Sequence, residues 1–122
     1  MGKILSGYLM PHPPIIVEEI GRGEEQRARE TLEGCKTIAK DIRDKRPTTI
    51  IIISPHGPLF ADAISISVEE NLKGDFRNFG NRGLKFHFIN NKKLVDEIIA
   101  ESYRQDIMVA KVDQDFAKSY NI

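Results

Sequence analysis

Apolar and polar positions follow two different periods along the chain, and these periods predict its helices and strands. Residues 4–10 are mostly apolar and end at a proline-rich turn over 11–14, which predicts a strand. Residues 24–46 place apolar side chains at helical spacing, with acidic residues at the start and basic residues at the end, so they predict one long helix that Pro47 ends. Residues 48–53 are β-branched and apolar on both faces, the pattern of a central strand covered by helices.

The second half of the chain predicts shorter elements. Alternating or short apolar runs predict three further strands, at 62–68, 84–88 and 107–112. Residues 71–83 are rich in glycine, asparagine and charge, which predicts a long loop. Residues 91–103 carry apolar side chains on one helical face and predict an amphipathic helix. Strands and helices that alternate in this way favour an α/β fold with a mostly parallel sheet.

Composition narrows the class of protein. The chain has 122 residues, 40% of them hydrophobic and 30% charged, which fits one α/β domain over residues 1–122. Because 18 Lys and Arg balance 18 Asp and Glu, the positive field that attracts nucleic acid is absent. No apolar run approaches the roughly 20 residues that cross a bilayer, and the single cysteine allows no internal disulfide. We expect a cytoplasmic protein that binds neither nucleic acid nor membranes.

Two histidines occupy matching places in this pattern. His12 follows the strand predicted over 4–10, and His56 follows the strand predicted over 48–53. The helix between the strands makes a βαβ unit, so both strands run parallel and end at the same edge of the sheet. Open α/β sheets bind ligands at that edge, and prolines on both sides of each histidine restrict the backbone. We therefore expect the two histidines to lie side by side.

Two neutral imidazoles at one sheet edge suit a first-row transition metal and leave coordination positions open. The sequence thus predicts a metal site with His12 and His56 as ligands. In the alternative interpretation both are turn histidines that hydrogen-bond to backbone groups. The spacing of the residues leaves both interpretations open.

Around these histidines the sequence resembles a known family. Three segments carry the resemblance: 8–15 (YLMPHPPI), 53–58 (ISPHGP) and 74–80 (GDFRNFG). They resemble the N-terminal half of class III extradiol ring-cleavage dioxygenases, namely the catalytic B subunit and microbial relatives linked with Memo proteins. The resemblance implies a three-layer α/β sandwich with a mostly parallel sheet, of which this chain is the N-terminal part.

The resemblance also implies chemistry. The positions that match His12 and His56 are iron(II) ligands in the family, with Zn(II) as a substitute metal, and the substrates are a catechol-like aromatic and O₂. The family's third ligand, a glutamate, and a further catalytic histidine lie beyond the equivalent of Ile122, so no catalytic residue is assigned here. We expect a dioxygenase-like protein that is inactive as this chain alone.

Three nearby acids are weaker ligand candidates. Asp62, six residues after His56, is the nearest acid to that histidine, but it opens a predicted strand. Glu18 and Glu19 follow His12 closely, and we expect them to solvate the segment that leads to the long helix. We therefore expect none of the three to replace the missing glutamate, and Asp62 stays open as the alternative carboxylate ligand.

The remaining candidates have structural explanations. His87 alternates with Phe86 and Phe88 along a strand, so it faces the opposite side and is expected to point to solvent or a helix. Cys35 falls on the apolar stripe of the long helix and is expected to be a small core residue. Ser54, directly before the second proline-histidine turn, is expected only to shape the surroundings of the metal, as is Gly57.

Two rival hypotheses remain beside the enzyme. In the first, the chain is the silent N-terminal half of a longer enzyme. In the second, it is a non-catalytic metal-binding or assembly module that keeps the fold. Both predict exposed apolar surface, and hence self-association or association with a missing C-terminal half.

Overall fold

The computed structural model describes residues 2–11, 28–55, 58–76 and 81–113. Its helices and strands, in chain order, are α1 (Arg29–Lys45), β1 (Ile64–Ser67), β2 (Asn71–Phe76), β3 (Asn81–Ile89), α2 (Lys92–Arg104) and β4 (Val109–Val112). The predicted α/β class is confirmed, because helices accompany a parallel pair of strands. The contacts divide the chain into two compact units, Met1–Ile50 with Asp75–Lys85 and Ile51–Gly74 with Phe86–Ile122. A single domain over 1–122 stays a prediction.

Helix α1 lies in the first unit and confirms the core of the helix predicted over 24–46. Glu30 lies in its first turn and basic residues lie in its last, which complements the helix dipole. Arg46 then adopts a left-handed conformation (φ 49°), and its N–H donates to the carbonyls of Ile42 and Arg43. Pro47 follows and ends the helix. Residues 24–27 lie outside the described residues.

The strand predicted over 4–10 is wrong. Residues 2–11 form no strand, and Leu9 is 99% exposed. A segment becomes a strand only when a neighbouring strand takes up its N–H and C=O groups. The strands of the described residues pair only as β1 with β4 and as β2 with β3. Residues 2–11 instead contact α1 through side chains.

The strand predicted over 48–53 is also wrong. These residues are in no regular element, and Ile52 and Ile53 are 82% and 95% exposed. A run that is apolar on both faces needs a strand on each side and a helix over each face. Each sheet in the described residues has two strands, and neither includes this run. The described residues therefore contain no βαβ unit with α1 at its centre.

The parallel pair lies in the second unit and joins β1 to β4 in register, from Ile64 beside Val109 to Ser67 beside Val112. These strands lie within the predicted ranges 62–68 and 107–112, and helix α2 confirms the helix predicted over 91–103. The two buried hydrophobic side chains among the described residues, Val95 on α2 and Val112 on β4, are each 7% exposed. The apolar face of α2 thus contributes to a small core in this unit.

Both ends of α2 are fixed by local hydrogen bonds. At its start the Asn91 side chain accepts from the N–H of Leu94, 3.0 Å away, which is an N-cap. At its end Asp106 has a positive φ of 57° and donates to the carbonyl of Tyr103, while the N–H of Ile107 donates to the carbonyl of Ser102. This pair of bonds is a Schellman motif, with aspartate where glycine is usual. The helix can therefore begin and end without outside partners.

The loop predicted over 71–83 is wrong, because β2 and β3 pair there. The four residues between these strands are too few for a parallel crossover, so the pair is a hairpin. Strand β3 includes the strand predicted over 84–88 and extends it at both ends. In the sequence of β2, Leu72, Gly74 and Phe76 alternate with polar residues, so the strand period was present but was hidden by the glycine and the charges.

No helix within the described residues is long and apolar enough to cross a membrane.

Candidate functional site

Both predicted metal ligands, His12 and His56, lie outside the described residues. So do Gly57, Glu18 and Glu19. The chain next to each histidine is described, however: Pro11 directly precedes the first, and Pro58 follows the second by two residues. The described residues therefore include a flank of each histidine, and the two ligands themselves stay a prediction.

The flank of His12 is tied to α1 by a chain of hydrogen bonds. The Ser6 hydroxyl donates to the Tyr8 hydroxyl, 2.8 Å away, and the Tyr8 hydroxyl donates to the Asp41 carboxylate on α1. The Lys45 ammonium donates to the same carboxylate at 2.6 Å and lies 5.8 Å from the centre of the Tyr8 ring. Residues from the N-terminal segment and from the helix therefore share one charged cluster.

Electrostatics favour the charged forms in this cluster. The hydrogen bond from Lys45, and after it the one from Tyr8, hold the pKa of the Asp41 carboxyl below its ordinary value. The hydrogen bond to Asp41 likewise raises the pKa of Lys45. Both side chains are open to water, so salt screens their attraction. The cluster orders a local segment and contributes little to the stability of the whole chain.

Cys35 makes a second contact with the same flank. It is half-buried on α1, and its thiol lies 3.9 Å from the carbonyl oxygen of Pro11, within reach of a weak S–H hydrogen bond. The prediction that Cys35 is a core residue is therefore only partly right, because its sulfur faces a backbone carbonyl. That carbonyl belongs to the residue before His12.

The flank of His56 is tied to β1. The Ser65 hydroxyl donates to the carbonyl oxygen of Pro58, 2.8 Å away, in a partly buried position. Because Ser65 pairs with Ala110 in the parallel ladder, the donor lies on a strand whose backbone is already held. This hydrogen bond therefore links Pro58 to the strand that follows it in the chain.

The carboxyl end of β1 is covered by side chains from the α2 side. The Asn90 amide donates to the carbonyls of Ser67 and Glu69 at 2.9 and 2.8 Å, and the Lys92 ammonium donates to the carbonyl of Val68 at 2.8 Å. Ligands of open α/β sheets often bind at such an end. Here the carbonyls of Ser67, Val68 and Glu69 each already accept a hydrogen bond from a side chain of the protein.

His87 lies on β3 and is exposed, as predicted. Its Nε2 is 2.8 Å from the side-chain oxygen of Asn71 on β2. The rings of Phe86 and Phe88 stack with centroids 6.5 Å apart. Because Asn71 Oδ1 is an acceptor, Nε2 carries the hydrogen of the His87 ring in this pair. The contact accounts for His87 as a cross-strand partner in the hairpin.

The described residues offer no ready-made metal site of three ligands. Within 2–11, 28–55, 58–76 and 81–113, no group of three or more His, Cys, Asp and Glu side chains could hold a metal ion. Asp62 is exposed in a bend two residues before β1. Ser54 is exposed as well and has an interaction partner. Asp62 as a substitute carboxylate ligand gains no support from this arrangement.

Tyr8, Asp41 and Ser65 were missed by sequence reasoning. The partners Tyr8 and Asp41 are 33 residues apart, and nothing local signals such a pair. The sequence of β1, Ile-Ser-Ile-Ser, places both serines on one face of the strand and gives no sign that Ser65 is half-buried while Ser67 is exposed. A half-buried serine needs a hydrogen-bond acceptor, and Pro58 provides it.

Comparison with known proteins decides the family. The family model of the catalytic LigB subunit of aromatic ring-opening dioxygenase matches residues 6–119. The chain belongs to the LigB family. A Clostridium acetobutylicum protein, Protein CA_C1420, is 40% identical over 114 residues, which are 93% of this chain and 24% of that protein. The LigB chain thus spans about a quarter of the length of this curated relative. No solved structure matches it. The resemblance found in the sequence is confirmed at the level of the family.

Proposed function

We propose that this LigB-family chain carries the two-histidine part of a non-haem iron(II) centre in an extradiol-type dioxygenase for catechol-like aromatics. One observation carries the proposal: the family match over residues 6–119 includes both proline-histidine motifs, at His12 and at His56. The family description names aromatic ring opening as the reaction. The particular aromatic is outside the proposal.

The donor set fits such a metal in part. Two neutral imidazoles are good ligands for iron(II) and for Zn(II) as a substitute, and they leave coordination positions open. A facial iron(II) site also needs one carboxylate. The described residues contain no group of three ligands, and Asp62 is an exposed residue of a bend. The resemblance implies, as the third ligand, a glutamate beyond the equivalent of Ile122, and we infer that this glutamate supplies the carboxylate.

The roles of the chain's own residues follow from this donor set. His12 and His56 would each hold the metal through one ring nitrogen, while a backbone carbonyl or a carboxylate would orient the other nitrogen. Iron(II), when bound, supplies redox chemistry and open positions for the aromatic and O₂. The Tyr8–Asp41–Lys45 cluster holds the chain before His12 on α1.

These 122 residues by themselves are expected not to cleave catechols at an enzyme-like rate. Two imidazoles leave the double positive charge of iron(II) uncompensated, so the metal dissociates readily. No residue of this chain has been assigned as the acid or base that manages the protons of the substrate. A carboxylate supplied by a second chain or a longer polypeptide should restore both metal affinity and turnover.

The test separates metal binding from catalysis. Iron(II) is added anaerobically to the 122-residue chain and to its His12→Ala, His56→Ala and His87→Ala variants, and binding is measured by calorimetry. We expect the first two substitutions to remove most of the affinity and His87→Ala to leave it unchanged. Equal loss in all three variants, or in none, would contradict the paired ligands. Adding a catechol and O₂ then tests for the yellow ring-opened product, which we expect to be absent.

A second function, as an assembly module, is favoured by one observation. Ile50, Ile51, Ile52 and Ile53 form an apolar run whose side chains are 59%, 64%, 82% and 95% exposed. Exposed apolar patches of this kind mark contact surfaces. Association with a second copy or with a C-terminal partner would cover it. Sedimentation of the wild type against Ile52→Asp tests this, because a monomeric wild type at high concentration would contradict association with itself. Metal binding that an added carboxylate partner does not convert into turnover would favour the module over the enzyme.

A further inference from the structure

Residues 6–11 lie along helix α1 and contact it at two points. At the first point the Tyr8 hydroxyl donates to the carboxylate of Asp41. At the second point the carbonyl oxygen of Pro11 lies 3.9 Å from the thiol sulfur of Cys35. Three residues of chain reach at most about 10 Å, and the six residues from Cys35 to Asp41 span about 9 Å of helix. The segment therefore runs along α1 toward the start of the helix.

Little apolar packing holds this segment on the helix. Ile4 and Leu9 are 93% and 99% exposed, and every residue of 2–11 is exposed. Burial of apolar surface is the main source of stability for a packed segment, so here the polar contacts decide whether the segment stays on α1. Segments with few apolar contacts open locally at a low free-energy cost. Loss of one polar contact should therefore be enough to release this segment.

Cys35 lies under the far end of the segment. It is half-buried, although its neighbours in the helix, Gly34 and Lys36, are exposed. The carbonyl of Pro11 lies against its sulfur and moves away when the segment leaves the helix. The chain contains no other cysteine, so a reagent for thiols reacts at this position alone. Cys35 can therefore report whether the segment is on the helix or off it.

We propose that residues 6–11 form a strap that opens and closes on α1, and that the hydrogen bond between Tyr8 and Asp41 is its latch. With the latch closed, Pro11 covers the side of α1 that carries Cys35. With the latch open, the weak contact between the thiol and the Pro11 carbonyl is the one left of the two, and it holds the strap poorly. The latch thus controls access to this side of the helix. The inference is independent of the proposed metal site.

Alkylation of Cys35 measures the opening of the strap. Iodoacetamide, which is uncharged, is added to the 122-residue chain, where the thiolate displaces iodide and forms a thioether, and mass spectrometry follows the rate. Tyr8→Phe removes the hydroxyl of the latch and keeps the ring. We expect it to raise the rate about fivefold, the factor that corresponds to the loss of one hydrogen bond. Asp41→Ala removes the acceptor and should raise the rate by a similar factor.

Matched variants exclude other causes of a faster reaction. Tyr103→Phe makes the same deletion at a tyrosine of α2 that is 85% exposed, and Asp44→Ala removes another carboxylate of α1. Both should react like the wild type. A change in the pKa of the thiol would move the rate profile along the pH axis, whereas opening of the strap raises the rate at every pH. The chain unfolded in urea gives the rate of the uncovered thiol.

Three results would overturn the strap and its latch. The first is a wild type that reacts as fast as the unfolded chain, because the thiol would then not be covered. The second is a rate in Tyr8→Phe and Asp41→Ala that equals the rate of the wild type or of Tyr103→Phe. The third is an acceleration that accompanies a loss of helix in circular dichroism, since the latch variants are expected to keep the helical signal of the wild type.

Discussion

Two apolar segments of this chain differ in whether they form a strand. Residues 50–53 are four consecutive isoleucines and lie exposed outside any strand, whereas β4, with the sequence Val-Ala-Lys-Val, is a paired strand. The more hydrophobic segment is therefore not the strand. Strand β4 has a parallel partner in β1, and Val112 within it is 7% exposed. Hydrophobicity makes a strand favourable, but backbone partners decide whether one forms.

Both segments follow a helix with a defined end. Helix α2 is closed by the Schellman motif at Asp106, and Val109 follows it within three residues. Helix α1 ends in a left-handed cap at Arg46, and residues 50–53 follow Pro47. A defined helix end is therefore not what separates the two segments. The difference lies in the partner strand, because β4 pairs with β1 and residues 50–53 pair with no strand among the described residues.

The largest effect is expected from a charge placed in the small core. Val95→Asp buries a carboxylate without a partner and should lower the free energy of unfolding by about 3 kcal/mol or more. Its matched control, Ile52→Asp, places the same charge on a residue that is 82% exposed and should change it by less than about 0.5 kcal/mol. Urea unfolding followed by circular dichroism measures both. Equal losses of unfolding free energy in the two variants would mean that residues 50–53 are packed in solution. The difference between this segment and the small core would then disappear.

The next effect tests the start of α2. Asn91→Ala removes the acceptor for the N–H of Leu94 and should lower the free energy of unfolding by about 1 kcal/mol. Asn91→Ser keeps an N-cap oxygen and should lose only a few tenths of that energy. Thermal unfolding is the measurement. If the two variants unfold at the same temperature, the side chain of Asn91 does not stabilise the start of α2.

The end of α2 gives a smaller change in the opposite direction. Asp106 has a φ of 57°, where a side chain with a Cβ is strained and glycine is not. Asp106→Gly should therefore raise the free energy of unfolding by about 0.5 kcal/mol, and Asp106→Val should lower it by about 1 kcal/mol or more. Urea unfolding distinguishes the two. A stabilising valine would show that the Schellman motif is absent in solution.

Elements with local signals were the ones that the sequence predicted well. Helices α1 and α2 have charged or capping residues at their ends, and Pro47 marks the end of α1. The strands β1 and β4 showed short apolar patterns that survive in the structure. Residues 4–10 and 48–53 had equally strong patterns, but no strand among the described residues pairs with them. Since β1 and β4 also pair from distant parts of the chain, a hydrophobic pattern shows that a segment can form a strand and not whether a partner strand lies beside it.

Sequence reasoning found the family and missed the residues that support the flanks of the candidate site. The two proline-histidine motifs stand out in the sequence and led to the family, which the match over residues 6–119 confirms, while His12 and His56 as metal ligands stay a prediction. The anchors at Ser65 and Asp41 bind across turns or across 33 residues, so no motif contains them. Their chemistry is ordinary, a hydroxyl to a carbonyl and a carboxylate to a phenol, and only coordinates bring the partners together.

The smallest effect concerns the tie between residues 2–11 and α1, and it is set by pH. The hydrogen bond from Lys45, with that from Tyr8, lowers the pKa of Asp41 from its ordinary value of 3.8. The carboxylate therefore contributes its full attraction above pH 3.8, and the attraction is lost as the pH falls through the lowered pKa. The pKa of Lys45 is raised from 10.5, so its contribution is lost only as the pH rises beyond that value.

Glu101 on α2 provides a comparison with Asp41. Hydrogen bonds from Gln105 and then Arg104 lower the pKa of Glu101 as well, but these three residues all lie within or next to one helix. Protonation of Asp41 should therefore release a separate segment, while protonation of Glu101 should leave α2 in place. We expect amide hydrogen exchange of residues 2–11 to accelerate below pH 3.8 after correction for the intrinsic rate, and exchange in α2 not to accelerate.

Asp41→Asn should produce the fast exchange of residues 2–11 already at neutral pH, and Asp44→Asn, on the same helix, should not. Because the cluster is exposed, high salt should weaken the protection in the wild type. Protection of residues 2–11 that is the same in Asp41→Asn and in the wild type would show that the Tyr8–Asp41 hydrogen bond does not hold this segment on α1.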